Sequence, residues 1–148
     1  MSTTTSIARY LLGIIFLVFG LNGFLNFIPQ PAPANPLTLQ FFVAVSTSHF
    51  ASFFFAVQVI GGVLLLSGYF VPLALTLLAA ELYNIIAFHL TLEPGLAPGI
   101  IALVLWLLVF LGYRQSFRGL LAAKPIAQKN SVAQDDPMPV GSPRPGLA

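Results

Sequence analysis

The 148 residues contain no cysteine, which excludes disulfides, thiolate metal sites, iron–sulfur clusters and thiol redox chemistry carried out by the chain itself. Any redox role would have to borrow a cofactor. Charge is nearly as scarce, at 7% of residues, and between Arg9 and Arg114 there is neither a lysine nor an arginine. With no basic patch interleaved with aromatics, nucleic acid is excluded as a partner, and the formal charge of +2 bears on membrane orientation instead. What fills the chain is apolar: 57% hydrophobic residues and a mean hydropathy of +0.92 describe one small domain solvated by the lipid bilayer.

The expected fold is all-α, an integral membrane four-helix bundle over residues 1–122 with a short amphipathic helix in the first external loop. Spans are expected at about 7–28, 49–69, 72–92 and 98–115. The first run is too long for a signal peptide and reads as a retained helix. Its Gly13, Gly20 and Gly23 would let a neighbour approach closely, and Asn22 and Asn26, one turn apart, should point inward as interhelical hydrogen-bonders. Pro29, Pro31, Pro33 and Pro36 then forbid a continuous helix. Asn35 and Pro36 form a cap and first-turn pair before Leu37, Phe41 and Val45, whose i, i+4, i+8 spacing predicts an amphipathic helix on the membrane surface or over the bundle mouth. The connection between the second and third spans is so short that the two must be antiparallel neighbours. The last span looks like a packing or lipid-facing member. From 123 to 148 the Pro-, Ala- and Ser-rich chain, without apolar periodicity, reads as a disordered cytoplasmic tail. Arg9, Arg114, Arg118 and Lys124 all fall on one side of a four-span topology, so both termini are expected in the cytoplasm.

The third span holds the residue most in need of explanation. Glu81 sits at its middle, and a charged side chain at a helix centre costs about 2.5 to 3.5 kcal/mol on insertion scales. It should face the interior and be partnered, protonated or wet. Asn84 and His89 follow on what reads as the same broad flank. With a rise of about 1.5 Å per residue, Gln58 lies about 13 Å inward from His49 and Glu81 about 12 Å inward from His89. Gln58 and Glu81 therefore match in height, and together with Asn84, His89, His49, Asn22 and Asn26 they outline a polar pocket opening outward. Glu81 reads equally as a structural carboxyl bonded to Gln58 or as a group handling a ligand or a proton. Two histidines without a third ligand fall short of a metal set, so no metal is expected. No catalytic residue can be named.

The opening run from Arg9 to Gly20 (RYLLGIIFLVFG), followed by Asn22, Gly23 and Phe24, resembles the DoxX family of small four-helix bacterial membrane proteins. The Gln58-x-x-Gly61-Gly62 turn and the polar third helix extend the likeness over roughly Ile7 to Leu120. Many DoxX-like proteins carry Glu where this chain has Gln58. The family takes its name from a subunit of a thiosulfate:quinone oxidoreductase. The resemblance implies a multi-pass protein of the bacterial inner membrane, an accessory or quinone-interacting subunit of a membrane redox system with a redox partner subunit, and quinone as the cofactor to test. A non-catalytic module that binds a small lipophilic ligand or anchors a partner protein is the competing expectation, and a homo-oligomer is compatible with both.

Overall fold

The computed structural model describes residues 2–123, so the tail expected to be disordered lies, from 124 onward, outside the described residues. Every regular element among the described residues is helical, with five α-helices: α1 (Thr3–Leu25), α2 (Pro36–Thr47), α3 (Phe50–Ser67), α4 (Val71–Thr91) and α5 (Ala97–Tyr113), the last extended by a 3-10 turn, Arg114–Phe117. Four of these, α1, α3, α4 and α5 with its extension, are long and apolar enough to cross a membrane.

The ends of the helices follow from local chemistry. Ser2 caps α1, its hydroxyl accepting the Thr5 amide at 3.2 Å, so the helix begins a turn earlier than the apolar run alone suggests. It also ends a turn earlier. Asn26 takes a left-handed conformation (φ 51) and donates its amide to the Asn22 carbonyl, while the Asn22 side chain captures the backbone of Ile28 and pulls the chain off the helix axis. Gly68 closes α3 with φ 78 and its amide on the Leu64 carbonyl at 3.1 Å, the left-handed stop that glycine adopts without a Cβ penalty. Pro72 sits in the first turn of α4, where no backbone N–H is missed.

Helix α2 forms where the cap and first-turn pair place it. Asn35 caps it as expected, accepting the Leu37 amide at 2.9 Å, but Leu37, Leu39, Phe41, Phe42 and Val43 are all exposed and the helix carries no charge. Its polar residues are Thr38, Gln40, Ser46 and Thr47. Thr38 is its one buried residue, and Phe41 of the stripe meets Phe88 of α4.

Packing arranges the long helices in the ring α1, α3, α4, α5, each touching the next and α5 closing on α1. Gly68 lies beside Arg9, and Gly112 beside Thr5, which places the chain start, the end of α3 and the end of α5 together; α2 lies at the opposite end. The closest approach is α1 against α3, where a Cβ at Gly62 would stand 2.7 Å from the Leu17 amide nitrogen and one at Gly20 2.9 Å from that of Val59. Trp106 turns inward, donating its indole N–H to the Leu75 carbonyl at 2.9 Å and stacking on Phe110. The buried apolar core comprises Ala8, Leu12 and Phe16 of α1, Leu65 of α3, Val71, Ala74, Leu75, Leu78 and Leu82 of α4, and Ala102, Val109 and Phe117. It is concentrated in the half of the bundle nearer the termini. The other half is hollow.

Arg9 is part of the packed half. It is only 6% exposed, its guanidinium donates to the Leu65 carbonyl in the last turn of α3, and it lies over the Tyr10 ring at 4.4 Å. A cation at a helix C-terminus meets the negative end of the helix dipole. The sequence reading placed Arg9 among the charges that orient the chain in the membrane; the fold gives it this second task.

Candidate functional site

The hollow half contains a cavity of about 690 Å³, within the range that small-molecule sites occupy. Its walls are Ile15, Phe16, Phe19 and Gly23 from α1, Phe55 from α3, Ile85 and Phe88 from α4, and Gly99 and Ala102 from α5. Phe42 and Ser46 of α2 close over one side. Onto these apolar walls converge Asn22, Asn26, Gln30, His49, Ser52, Gln58 and His89. A ligand held here would meet aromatic faces along most of its surface and a small number of hydrogen-bonding groups.

Five of the seven residues singled out in the sequence line this cavity, each in its own way. Gln58 comes from the middle of α3, where Gly61 one turn on lets α3 approach Leu78 of α4. His49 precedes α3 in a left-handed conformation (φ 58), which turns the chain from α2 into the span. His89 is fixed at the end of α4 by a 3.1 Å contact between Nδ1 and the Glu93 carbonyl. Asn22 is buried, but it bonds the Ile28 backbone of its own chain segment at 2.6 Å and not another helix. Asn26 is exposed and serves as the C-cap of α1. Phe24 stacks edge-on to Phe55 at 5.8 Å, closing the bundle beside them.

Glu81 and Asn84 take other places. Glu81 is buried, 6% exposed, and stands behind Gln58, whose Nε2 approaches its Oε2 at 3.5 Å. The matched heights of the two residues are thus realised as a long side-chain contact, with the carboxyl holding the amide and Gln58 facing the cavity. Asn84 is exposed on the far side of α4, donating only to the Ala80 carbonyl of its own helix at 2.9 Å. Three residues of helix rotate a side chain by about 300° and eight by about 80°, so Asn84 and His89 lie well apart around α4. Treating 81, 84 and 89 as one flank overlooked that rotation.

The sequence reading offered a place over the bundle mouth as one of two for α2, but not the contacts that hold it there. Glu93, in the α4–α5 connection, accepts the Ala34 amide on Oε1 at 2.8 Å. Asn35 and Thr38 donate to the Leu92 carbonyl at 3.2 and 2.8 Å. Phe42 stacks on Phe88 at 5.5 Å, with Phe41 tilted against the same ring. These contacts strap the start of α2 across to the end of α4. The Ala34 amide, first among its contacts, holds the Glu93 carboxyl below its ordinary value. The available clue was that Glu93 is the only charged residue in the loops at that end, facing a proline-rich segment with free amides.

Among the described residues no group of three or more His, Cys, Asp or Glu side chains converges, and the titratable groups on the cavity wall are His49 and His89. No family model, no curated protein and no solved structure matches the chain. The four long apolar helices are consistent with a multi-pass membrane protein.

Proposed function

We propose that this chain is a DoxX-like protein of the bacterial inner membrane, with both termini cytoplasmic, whose outward cavity holds the head group of a membrane quinone as an accessory subunit of a redox system. The observation that carries the reading is the cavity itself: aromatic walls with Gln58, His49 and His89 brought to one space, beside Asn22, Asn26, Gln30 and Ser52. A quinone ring is flat, apolar on its faces and hydrogen-bond accepting at two opposed carbonyls. Phenylalanine faces suit the ring, and an amide and an imidazole N–H suit the carbonyls. Glu81 acts as a positioning residue, occupying one N–H of the Gln58 amide and leaving the other for the ligand. Electron transfer itself would fall to a partner subunit.

One observation favours the competing reading, in which the chain is a non-catalytic module for a small lipophilic ligand: the Glu81 carboxyl is turned to Gln58 and does not line the cavity. Both readings are tested by extracting lipids from the detergent-purified protein and identifying bound species by mass spectrometry and redox difference absorbance. A quinone retained by the wild type, depleted in Gln58→Leu and retained in Glu81→Gln supports the proposal. Quinone at the level of an unrelated membrane protein purified in parallel overturns it, and a different lipophile depleted by Gln58→Leu establishes the module.

A further inference from the structure

Within the hydrocarbon layer a backbone or side-chain polar group has no water to turn to. The outer face of α4 nevertheless presents two polar groups at nearly one height. Tyr83 is 74% exposed and its hydroxyl has no hydrogen-bond partner among the described residues. Asn84, beside it, uses one amide N–H on the Ala80 carbonyl, leaving its second N–H and its carbonyl oxygen without a partner among the described residues. Both lie seven or eight residues before the end of α4 at Thr91, about 11 Å below it at a rise of 1.5 Å per residue, deep in the layer when α4 spans the bilayer. Thr76 and Thr91 on the same exposed side satisfy themselves, donating to the Pro72 and Ala87 carbonyls. Asn84 and Tyr83 do not.

We propose that this face of α4 is the interface of a homodimer, with Asn84 of each copy pairing with Asn84 of the other about a two-fold axis along the membrane normal. A carboxamide carries donor and acceptor together, so two copies satisfy each other by two reciprocal hydrogen bonds, a complementarity that a second copy of this chain supplies by symmetry. Both copies insert with the same topology, so their α4 helices run parallel and each residue meets its own counterpart. Ala80 and Ala87 lie one turn to either side of Asn84 and carry no bulk to hold the helices apart, the arrangement by which helices approach closely in lipid. α4 packs within its own chain on α3 and α5 and meets α2 through Phe88 and Leu92, while Ala80, Tyr83 and Asn84 stay exposed and Ala87 half-buried. The inference rests on the membrane placement proposed above and is independent of the cavity and its ligand.

The absence of cysteine makes the test clean. Ala80→Cys, Ala87→Cys and, as controls on other exposed faces, Ile14→Cys and Ile101→Cys would each be oxidised in native membranes after carbonate washing, which itself reports whether the chain is integral. Disulfide-linked dimers at Ala80→Cys and Ala87→Cys, absent at the controls, are expected. Adding Asn84→Leu should weaken dimerisation about tenfold in dilution measurements by single-molecule photobleaching in vesicles, and Asn84→Gln, which keeps the amide, should restore most of it. Equal cross-linking at Ile101→Cys, or an Asn84→Leu protein as dimeric as the wild type, overturns the proposal. Release of the chain by carbonate would instead remove the membrane placement on which it stands.

Discussion

Replacing Gly62 by alanine separates the packing account from simple helix propensity, because the two predict opposite signs. In a helix interior, alanine is favoured over glycine by about 1 kcal/mol, so propensity alone makes Gly62→Ala stabilising. In this fold the new Cβ would lie 2.7 Å from the Leu17 nitrogen and 2.9 Å from the Gly13 carbonyl oxygen. Both are main-chain atoms and cannot rotate away, so α1 and α3 must part by several tenths of an ångström to regain normal contact near 3.5 Å. That opening is felt along the line that also holds Gly13 and Gly20. Overpacking of this kind costs about 1 to 3 kcal/mol, which exceeds the gain from propensity, and a net loss of about 1 kcal/mol or more is expected. Gly99→Ala is the internal control: its Cβ would meet Ile85 Cγ2 at 3.4 Å and Ile86 Cγ1 at 3.7 Å, ordinary contacts, so it should be neutral or stabilising. Thermal unfolding in detergent followed by circular dichroism reads both. A Gly62→Ala protein melting at or above the wild-type midpoint would refute the close α1–α3 approach.

Acid should loosen the α2 strap. Because the folded Glu93 carboxyl sits below its ordinary value of 4.5, its contribution is present above that value and is lost as pH falls through the lower, folded value; Glu93→Gln should remove this dependence, as measured by hydrogen exchange at Ala34 to Thr38 corrected for intrinsic rates. Arg9→Met keeps an apolar stem but leaves the Leu65 carbonyl without its charged donor, and a loss of about 1 to 2 kcal/mol is expected, with faster proteolysis around Ser67 to Phe70. Wild-type behaviour of Arg9→Met in both measurements would mean that the guanidinium does not cap α3.

The helices were legible because lipid-scale apolar runs leave little ambiguity: four long runs separated by proline, Ser-Gly or Glu-Pro-Gly breaks appear as helices within about a turn of their expected bounds. Depth along antiparallel spans was legible too, since a fixed rise per residue is enough to bring Gln58 opposite Glu81. Rotation about each axis was harder to read. Asn84 was assigned to the inner flank because polar residues were expected to avoid lipid, yet the fold turns it outward and keeps Glu81 in. Asn22 was read as an interhelical bond because side-chain type says nothing about which backbone lies within reach; here the chain leaving α1 turned back and took the amide first. Glu93 and Thr38 escaped notice because their strap joins segments more than fifty residues apart, and no periodicity in either segment reports such a contact.

The central claim, that the hollow half of the bundle is a quinone-head site, is tested most directly by a photoreactive quinone analogue applied to membranes containing the full chain, with adducts mapped by mass spectrometry. The account predicts labelling at cavity residues such as Phe19, Phe42, Phe55 and Phe88, suppressed by excess unlabelled quinone and lost in Gln58→Leu. Labelling confined to residues exposed on the outside of the bundle, such as Ile14 or Ile101, and unaffected by competitor, would contradict it.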